Sequence, residues 1–231
     1  MKVEILADAD AVARRGAQLI AAQARAAVAA RGRFTLAVSG GHTPWRMLRL
    51  LASEDVPWSK LHIFQVDERV APAGDPDRNL THLRESLLGT VKLPPAQLHA
   101  MPVEDTDLTA AAAAYARTLE SVAGSPPVLD LVHLGLGPDG HTASLVPGDK
   151  SLDVTAIDVA LSGPYQGRLR MTLTYPVLDR ARTILWLVTG AEKVPMFAKL
   201  KAGDRSIPAG RVQSERAVVL ADVAAAGRAP A

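Results

Sequence analysis

The 231-residue chain contains no cysteine, and this absence removes several kinds of chemistry. Disulfide bonds, thiolate metal sites and a cysteine nucleophile are all excluded. Aromatic residues make up only 4% of the chain, whereas hydrophobic residues as a whole make up 48%. We therefore expect a folded chain with a sizeable core of aliphatic side chains, chiefly Leu, Val, Ile and Ala.

Net charge and long apolar runs are also scarce. The 26 basic and 24 acidic residues leave a formal charge of +2, and no Lys/Arg run stands out, so nucleic acid is not expected as a partner. No stretch approaches the ~18 consecutive apolar residues of a membrane span. The segment Met1 to Asp8 carries charges where a secretory signal needs an apolar core. These absences predict a cytoplasmic protein without a membrane partner, and the small excess of cations favours an anionic small molecule.

Helical patterns and apolar runs alternate along the chain. Helices are predicted at residues 9–31, 44–51, 79–88, 106–122, 175–181 and 190–201. Strands are predicted at 33–38, 61–66, 128–134, 156–161, 169–173, 183–189 and 217–221, followed by an Ala/Gly/Pro tail without regular structure. This alternation predicts a single α/β domain over residues 1–231, with a mainly parallel sheet and helices on both faces, as in a modified Rossmann-like three-layer sandwich.

The most informative segment is Gly135-Leu-Gly-Pro-Asp-Gly-His-Thr-Ala-Ser144. It places His141 two residues after Asp139 in a glycine-rich turn that follows the predicted strand 128–134. Open α/β sheets build their sites in loops at the carboxyl ends of strands, so His141 is a candidate general base. The plainer alternative is a turn in which Asp139 and His141 only satisfy local hydrogen bonds.

Two further turns share this layout of a strand, a polar or glycine-bearing turn and a helix start. They are Ser39 to Thr43 and Thr189 to Lys193. Because the carboxyl ends of parallel strands meet at one edge of a sheet, all three turns can face one pocket. The first turn offers backbone N–H groups and two hydroxyls at a helix amino terminus, an arrangement that binds phosphate. A simple strand-to-helix turn remains the alternative.

Three cations are predicted near these turns. Arg69 ends a strand at the same edge, Arg170 starts a strand, and Lys193 lies in the first turn of a helix, where it opposes the helix dipole. Each cation alone is equally consistent with a solvated surface residue, and only their convergence indicates an anion site. The other histidines lack metal-ligand spacing, and His62 and His133, inside apolar strands, are expected to be satisfied core residues.

These segments resemble the 6-phosphogluconolactonase family, part of a group that also holds the glucosamine-6-phosphate deaminases. The resemblance extends over roughly residues 34–210 and is carried, in the family's order, by Ser39–Pro44, Asp67–Arg69, Gly135–Ser144, Arg170–Thr172 and Gly190–Lys193. Two positions depart from the family pattern. His42 replaces a small hydroxyl residue in the phosphate loop, and its role is unassigned. Arg78 replaces a serine before Asn79, where we expect it to touch only the rim of the site.

The resemblance implies hydrolysis of 6-phospho-D-glucono-1,5-lactone to 6-phosphogluconate in the oxidative pentose phosphate pathway, without a metal or organic cofactor. His141 would act as the general base on water, because imidazole titrates near pH ~6.5. Asp139 would orient the loop or the imidazole. Substrate binding is implied for Ser39, Gly40, Gly41, Thr43, Asp67, Arg69, Arg170 and Lys193. The oligomeric state is left open, with a monomer favoured.

Two other functions compete with this interpretation. The deaminases have Asp-Glu-Tyr where this chain has Asp67-Glu68-Arg69, and a catalytic glutamate where this chain has Val146. Valine cannot transfer protons, so the lactonase is favoured over the deaminase. A sugar-phosphate sensor without turnover would keep the phosphate loop and lose the base, yet His141 and Asp139 are both present.

Overall fold

The computed structural model describes residues 1–228, and the last three residues of the predicted tail lie outside the described residues. Over the described range the strands are β1 Lys2–Leu6, β2 Phe34–Val38, β3 Leu61–Gln65, β4 Asp67–Arg69, β5 Leu98–His99, β6 Leu131–Gly135, β7 Val159–Tyr165, β8 Arg168–Leu173, β9 Ile184–Val188 and β10 Ala217–Asp222. The α-helices are α1 Ala9–Arg31, α2 His42–Leu51, α3 Asn79–Leu83, α4 Leu108–Ala123, α5 Tyr175–Arg180, α6 Val194–Ala202 and α7 Pro208–Arg211. None of these helices has the length and apolar character needed to cross a membrane.

Seven strands form one parallel sheet in the order β1-β10-β9-β6-β2-β3-β5. From β2 the chain moves outward through β3 to β5, and it then returns to β6 on the other side of β2. The strand order therefore reverses between β2 and β6. In open α/β sheets the crevice at the carboxyl ends of such a pair is where ligands bind. The predicted α/β fold with a mainly parallel sheet is confirmed.

Helices cover both faces of the parallel sheet and divide the apolar core in two. On one face, α1, α2 and α3 pack on the sheet around Ile20, Met47 and Leu83. On the other face, α4, α5 and α6 form a second core together with β8. Because both faces are covered, the central strands are almost continuous runs of buried residues, as β2 and β9 show.

Local sequence accounts for the longest helix. Asp8 caps its amino terminus, since its carboxylate accepts a hydrogen bond from Ala11 N at 2.7 Å. The helix ends at Gly32, which adopts the left-handed conformation with φ 75°. The predicted bounds of 9–31 are therefore confirmed. Sequence patterns missed β1 and the two-residue strand β5.

A second, three-stranded antiparallel sheet in the order β4-β8-β7 stands beside the carboxyl edge of the parallel sheet. The predicted strand 61–66 ends at Gln65, and Asp67–Arg69 forms a separate strand that pairs with β8. Arg69 was predicted to end a strand of the parallel sheet. It instead ends β4, which belongs to this smaller sheet. The two sheets together enclose the site.

Candidate active site

A cavity of about 470 Å³ opens at the carboxyl edge of the parallel sheet, between β2 and β6. The turn after β2, the loop after β6 and the segment before α6 all contribute to its wall, as the shared layout of the three turns predicts. The small antiparallel sheet supplies the opposite wall. Of the predicted site residues, eight line this cavity: Ser39, Gly40, Gly41, Asp67, Arg69, His141, Arg170 and Lys193.

Two predicted site residues do not line the cavity. The Thr43 hydroxyl lies 2.7 Å from the Thr189 hydroxyl, so these two side chains tie the first turn to the third. Asp139 lies behind His141 and acts on the cavity only through the imidazole. The predicted role of Thr43 in phosphate binding stays a prediction.

His141 and Asp139 form a tight pair. Nδ1 of His141 lies 2.5 Å from Oδ1 of Asp139, and the same oxygen accepts the backbone N–H of His141 at 3.1 Å. Burial raises the pKa of the Asp139 carboxyl, but the hydrogen bonds from the backbone and ring of His141 and from Tyr165 outweigh it and hold that pKa below its usual value. An ionised carboxylate can only accept, so the imidazole proton resides on Nδ1. Nε2 therefore keeps a free lone pair.

Glycine is required in this loop because the imidazole occupies the space beside the backbone. A Cβ atom at Gly137 would lie 2.0 Å from Nδ1 of His141, far inside van der Waals contact. The loop is closed by a hydrogen bond from Gly137 N to the His141 carbonyl at 2.9 Å. The spacing of glycine and histidine in the motif thus reflects direct contact between the two residues.

Tyr165, at the tip of the β7–β8 hairpin, was missed by the sequence analysis. Its hydroxyl donates a hydrogen bond to Oδ2 of Asp139 at 3.1 Å, and its ring packs edge-on against His141 with centroids 5.1 Å apart. The next two residues, Gln166 and Gly167, have φ values of 54° and 77°, as a tight two-residue hairpin turn requires. No local pattern signals the contact, because Tyr165 and Asp139 are 26 residues apart.

Two arginines face the cavity from neighbouring strands. Arg69 of β4 is the direct cross-strand partner of Arg170 of β8. Arg170 is only 3% exposed, so it is not the solvated surface cation that the sequence left as an alternative. It is the third residue of β8, whereas it was predicted to start the strand. Its guanidinium donates to the Tyr165 carbonyl and to Oε1 of Gln166, both at 3.3 Å. Burial, and then the charge of Arg69, lower the pKa of Arg170.

Like charges placed directly opposite each other destabilise a sheet, so this arginine pair needs a compensating anion. One carboxylate is nearby: Oδ2 of Asp67 lies 3.9 Å from Arg170. That oxygen also accepts the Ser144 hydroxyl at 2.7 Å. Around the cavity, the three cations Arg69, Arg170 and Lys193 face this single carboxylate. The cavity therefore favours an anionic ligand.

Arg78 was expected to touch the rim of the site, but it is buried and does not line the cavity. It is 1% exposed, and its Nε lies 3.2 Å from Oε2 of the fully buried Glu68. The carboxylate of Glu68 caps the start of α3, because it accepts the N–H groups of Asn79 and Leu80, each at 2.8 Å. The Asn79 amide bonds to Asp67 and Arg69.

The turn after β2 is held from below by His133. This histidine is fully buried, and its Nδ1 accepts the backbone N–H of Ser39 at 3.2 Å. Burial lowers its pKa to about 3, so it stays neutral and keeps the accepting lone pair. Its Nε2 has no partner among the described residues, so the predicted satisfied core histidine is satisfied on one nitrogen only. The other predicted core histidine, His62, is half-buried.

The glycines of this turn leave donors free toward the cavity. The backbone N–H groups of Gly40 and Gly41 have no acceptor in the described range, and Gly41 precedes the first turn of α2. Unpaired donors at a helix amino terminus bind anions. A Cβ atom at Gly40 would lie 1.9 Å from Oδ1 of Asn79, so a larger residue at this position would have to displace the Asn79 amide.

Three further residues belong to the cavity wall: Lys193, His42 and Trp45. Lys193 ends a 3₁₀ turn directly before α6 rather than lying within the helix. His42 and Trp45 also line the cavity, and their rings meet edge-on with centroids 5.1 Å apart. Within residues 1–228, no three His, Asp or Glu side chains are grouped so that they could hold a metal ion.

The fold and the site together define an α/β protein with a cationic cavity at the switch point of a parallel sheet and, in its wall, a histidine that is paired with an aspartate behind it. The chain belongs to the family described as glucosamine-6-phosphate isomerases/6-phosphogluconolactonase, which matches residues 7–221. A 6-phosphogluconolactonase of Nostoc sp. is 36% identical over 232 residues, covering 97% of this chain and 96% of that protein.

Solved structures agree with this assignment. The 6-phosphogluconolactonase of Trypanosoma brucei superposes with a TM-score of 0.86 at 27% identity, covering 98% of this chain and 97% of that one. A monomeric glucosamine-6-phosphate deaminase superposes with a TM-score of 0.85 at 19% identity, over 98% of this chain and 99% of its own. The second likeness concerns the fold alone. The resemblance predicted from the motifs is confirmed, and the fold by itself does not separate the two activities.

Proposed function

We propose that this chain hydrolyses 6-phospho-D-glucono-1,5-lactone to 6-phosphogluconate, a step of the oxidative pentose phosphate pathway, as the name 6-phosphogluconolactonase of its relatives supports. One observation carries the proposal. The free nitrogen of a histidine–aspartate pair and a cluster of three cations belong to the same cavity of about 470 Å³. A base and an anion site together suit a substrate that carries a phosphate at one end and a reactive ester at the other.

His141 is the general base of this mechanism. A lactone is an activated ester, so the attacking water needs only deprotonation and a fixed direction of approach. Nε2 of His141 takes a proton from water while the hydroxide oxygen bonds to the lactone carbonyl carbon. Asp139 stabilises the resulting imidazolium through Nδ1. Such a base contributes about 10²- to 10⁴-fold to the rate.

The second half of the reaction returns the proton. The tetrahedral oxyanion collapses, the bond from the carbonyl carbon to the ring oxygen breaks, and the departing ring oxygen receives the proton from Nε2 of His141. The products are a free hydroxyl and a carboxylic acid, which releases its proton to solvent and becomes the carboxylate, so no group remains attached to the enzyme. A nearby cation such as Arg69, or backbone N–H groups, stabilises the oxyanion.

The phosphate is held at the cationic wall. The free N–H groups of Gly40 and Gly41 and the side chains of Arg69, Arg170 and Lys193 supply its partners. Binding energy from this distant group holds the substrate with its carbonyl carbon over the water. Among these side chains, Arg170 is the strongest candidate to bind the phosphate, because it is buried and lies directly opposite a second arginine.

The deaminase receives less support from this site. The position of its catalytic glutamate is occupied here by Val146, and Arg69 stands where that enzyme has a tyrosine. Neither residue can carry the proton transfers that ring opening and ammonia release require.

Substrate identity is tested by comparing three compounds with the wild-type protein. We expect rapid hydrolysis of freshly prepared 6-phosphogluconolactone, much slower hydrolysis of unphosphorylated gluconolactone, and no ammonia from glucosamine 6-phosphate. Arg170→Ala and Lys193→Ala should act on the phosphorylated lactone chiefly through KM. Ammonia release would indicate a deaminase, and binding without turnover a sensor. Unchanged kcat/KM in both variants would show that the phosphate site is placed wrongly.

A further inference from the structure

The hydroxyl of Tyr165 has a position that the proposed mechanism does not yet use. It lies 3.1 Å from Oδ2 of Asp139, on the oxygen that His141 leaves free. Asp139 therefore receives one hydrogen bond on Oδ2 from the hairpin and two on Oδ1 from His141. Burial, and then the negative charge of Asp139, raise the pKa of Tyr165, so the phenol stays protonated and donates.

Without this contact, the Asp139 carboxylate could rotate about its χ2 torsion, because such terminal torsions are broad. A hydrogen bond on the second oxygen fixes the plane of the carboxylate, and the plane of the carboxylate fixes the imidazole. The ring of Tyr165 supports the same arrangement from the side, in edge-on contact with His141. We propose that Tyr165 is a positioning residue that holds Asp139, and through it His141, in the orientation needed for base catalysis. This inference rests on the proposed lactonase function.

The same tyrosine also touches the anion site. Its ring lies 5.0 Å from the Arg170 guanidinium carbon, and its carbonyl accepts a hydrogen bond from that guanidinium. Only the hydroxyl reaches Asp139, and it also lies 3.4 Å from Nδ1 of His141, whereas the ring and the carbonyl make the contacts with Arg170 and the ring packs on His141. The two roles can therefore be separated by removing the oxygen atom alone. Tyr165→Phe keeps the ring, the carbonyl and the hairpin turn.

Tyr165→Phe should lower kcat for lactone hydrolysis roughly tenfold, the factor that corresponds to one charge-assisted hydrogen bond. KM should stay within about twofold, because the contacts of the tyrosine with Arg170 are kept. A matched control is Tyr175→Phe, which removes the hydrogen bond from another tyrosine hydroxyl, to the Pro208 carbonyl at 3.0 Å, away from the cavity. That variant should keep the wild-type kcat.

A double-mutant cycle tests whether the hydroxyl acts through Asp139. In an Asp139→Asn background, Tyr165→Phe should lower kcat by less than about twofold, since the carboxylate that it positions is already gone. Equal factors in both backgrounds, an effect on KM alone, or a kcat equal to wild type would each overturn the inference. Absence of wild-type turnover would overturn the proposed function, and this inference with it. Full activity of Tyr165→Phe beside an inactive His141→Ala would overturn the inference alone.

Discussion

Arg78 gives the sharpest prediction about stability. Arg78 is 1% exposed, its guanidinium lies 3.2 Å from the fully buried Glu68 carboxylate, and Nη1 donates to the Ala71 carbonyl at 2.8 Å. Arg78→Met keeps most of the volume and removes the charge, so Glu68 is left as an unpaired buried anion. Breaking a buried ion pair in this way costs about 3–5 kcal/mol of unfolding free energy.

The lower end of that range applies here, because Glu68 keeps four other donors. Its two oxygens still accept the side-chain amide of Gln65 and three backbone N–H groups, each at 2.8 Å. The other acidic partner of Arg78, Glu104, is half exposed and contributes little. We therefore expect a loss of about 3 kcal/mol. In a chain of this length each kcal/mol lowers Tm by about 2–4 °C, so Tm should fall by about 6–12 °C.

Thermal unfolding followed by circular dichroism, with urea titration beside it, measures this loss. The matched control is Arg84→Met, the same substitution at an exposed arginine of the adjoining helical turn. Exposed substitutions of this kind stay within about 0.5 kcal/mol of wild type. A Tm for Arg78→Met equal to that of Arg84→Met would show that the buried pair does not stabilise the fold.

Two further predictions concern the loop glycine and the buried histidine. Gly137→Ala should lower kcat by at least about tenfold with little loss of stability, because its Cβ must displace the His141 ring from a position 2.0 Å away. His133 has a pKa of about 3 in the folded state, and its ordinary unfolded value is about 6.5. Between these values the unfolded chain binds one more proton, so the stability from this group is complete above about pH 6.5 and falls as the pH is lowered. Between pH 7 and pH 5, the free energy of unfolding of His133→Gln, measured by urea titration, should therefore fall by about 2 kcal/mol less than that of wild type.

Each of these two predictions has a defined contrary result. For Gly137→Ala, the control is Gly89→Ala at an exposed position with negative φ, where the added Cβ makes only ordinary contact, and kcat should be unchanged. Equal kcat in the two variants would show that a Cβ atom at position 137 does not disturb the His141 imidazole. For His133, parallel pH dependences in wild type and His133→Gln would show that the histidine is not buried as a neutral group.

Structural features that depend on short, local segments of the sequence could be predicted. The bounds of α1 follow from the alanine-rich pattern between Asp8 and Gly32, the two residues that cap the helix in the structure. The three turns at the sheet edge follow from a strand, a glycine-bearing turn and a helix start, and the alternation of elements brings them to one cavity. Five of the ten predicted site residues, Ser39, Gly40, Gly41, His141 and Lys193, line that cavity for this reason.

Contacts between distant residues could not be predicted. Asp67–Arg69 follows β3 after a single residue, so the apolar pattern does not reveal that it joins another sheet. The burial of Arg78 depends on Glu68, on a neighbouring element, and sequence periodicity cannot distinguish a buried arginine with a carboxylate partner from one in solvent. The bond between Tyr165 and Asp139 depends on the hairpin folding back over the loop after β6.

The central claim is that His141 activates water for lactone hydrolysis. The measurement that tests it most directly is the hydrolysis of freshly prepared 6-phosphogluconolactone by wild type and by His141→Ala, with the spontaneous rate subtracted. We predict fast wild-type turnover and a loss of at least ~10²-fold in the variant, with 6-phosphogluconate binding largely kept. Near-normal turnover by His141→Ala, or no acceleration by wild type, would contradict the account.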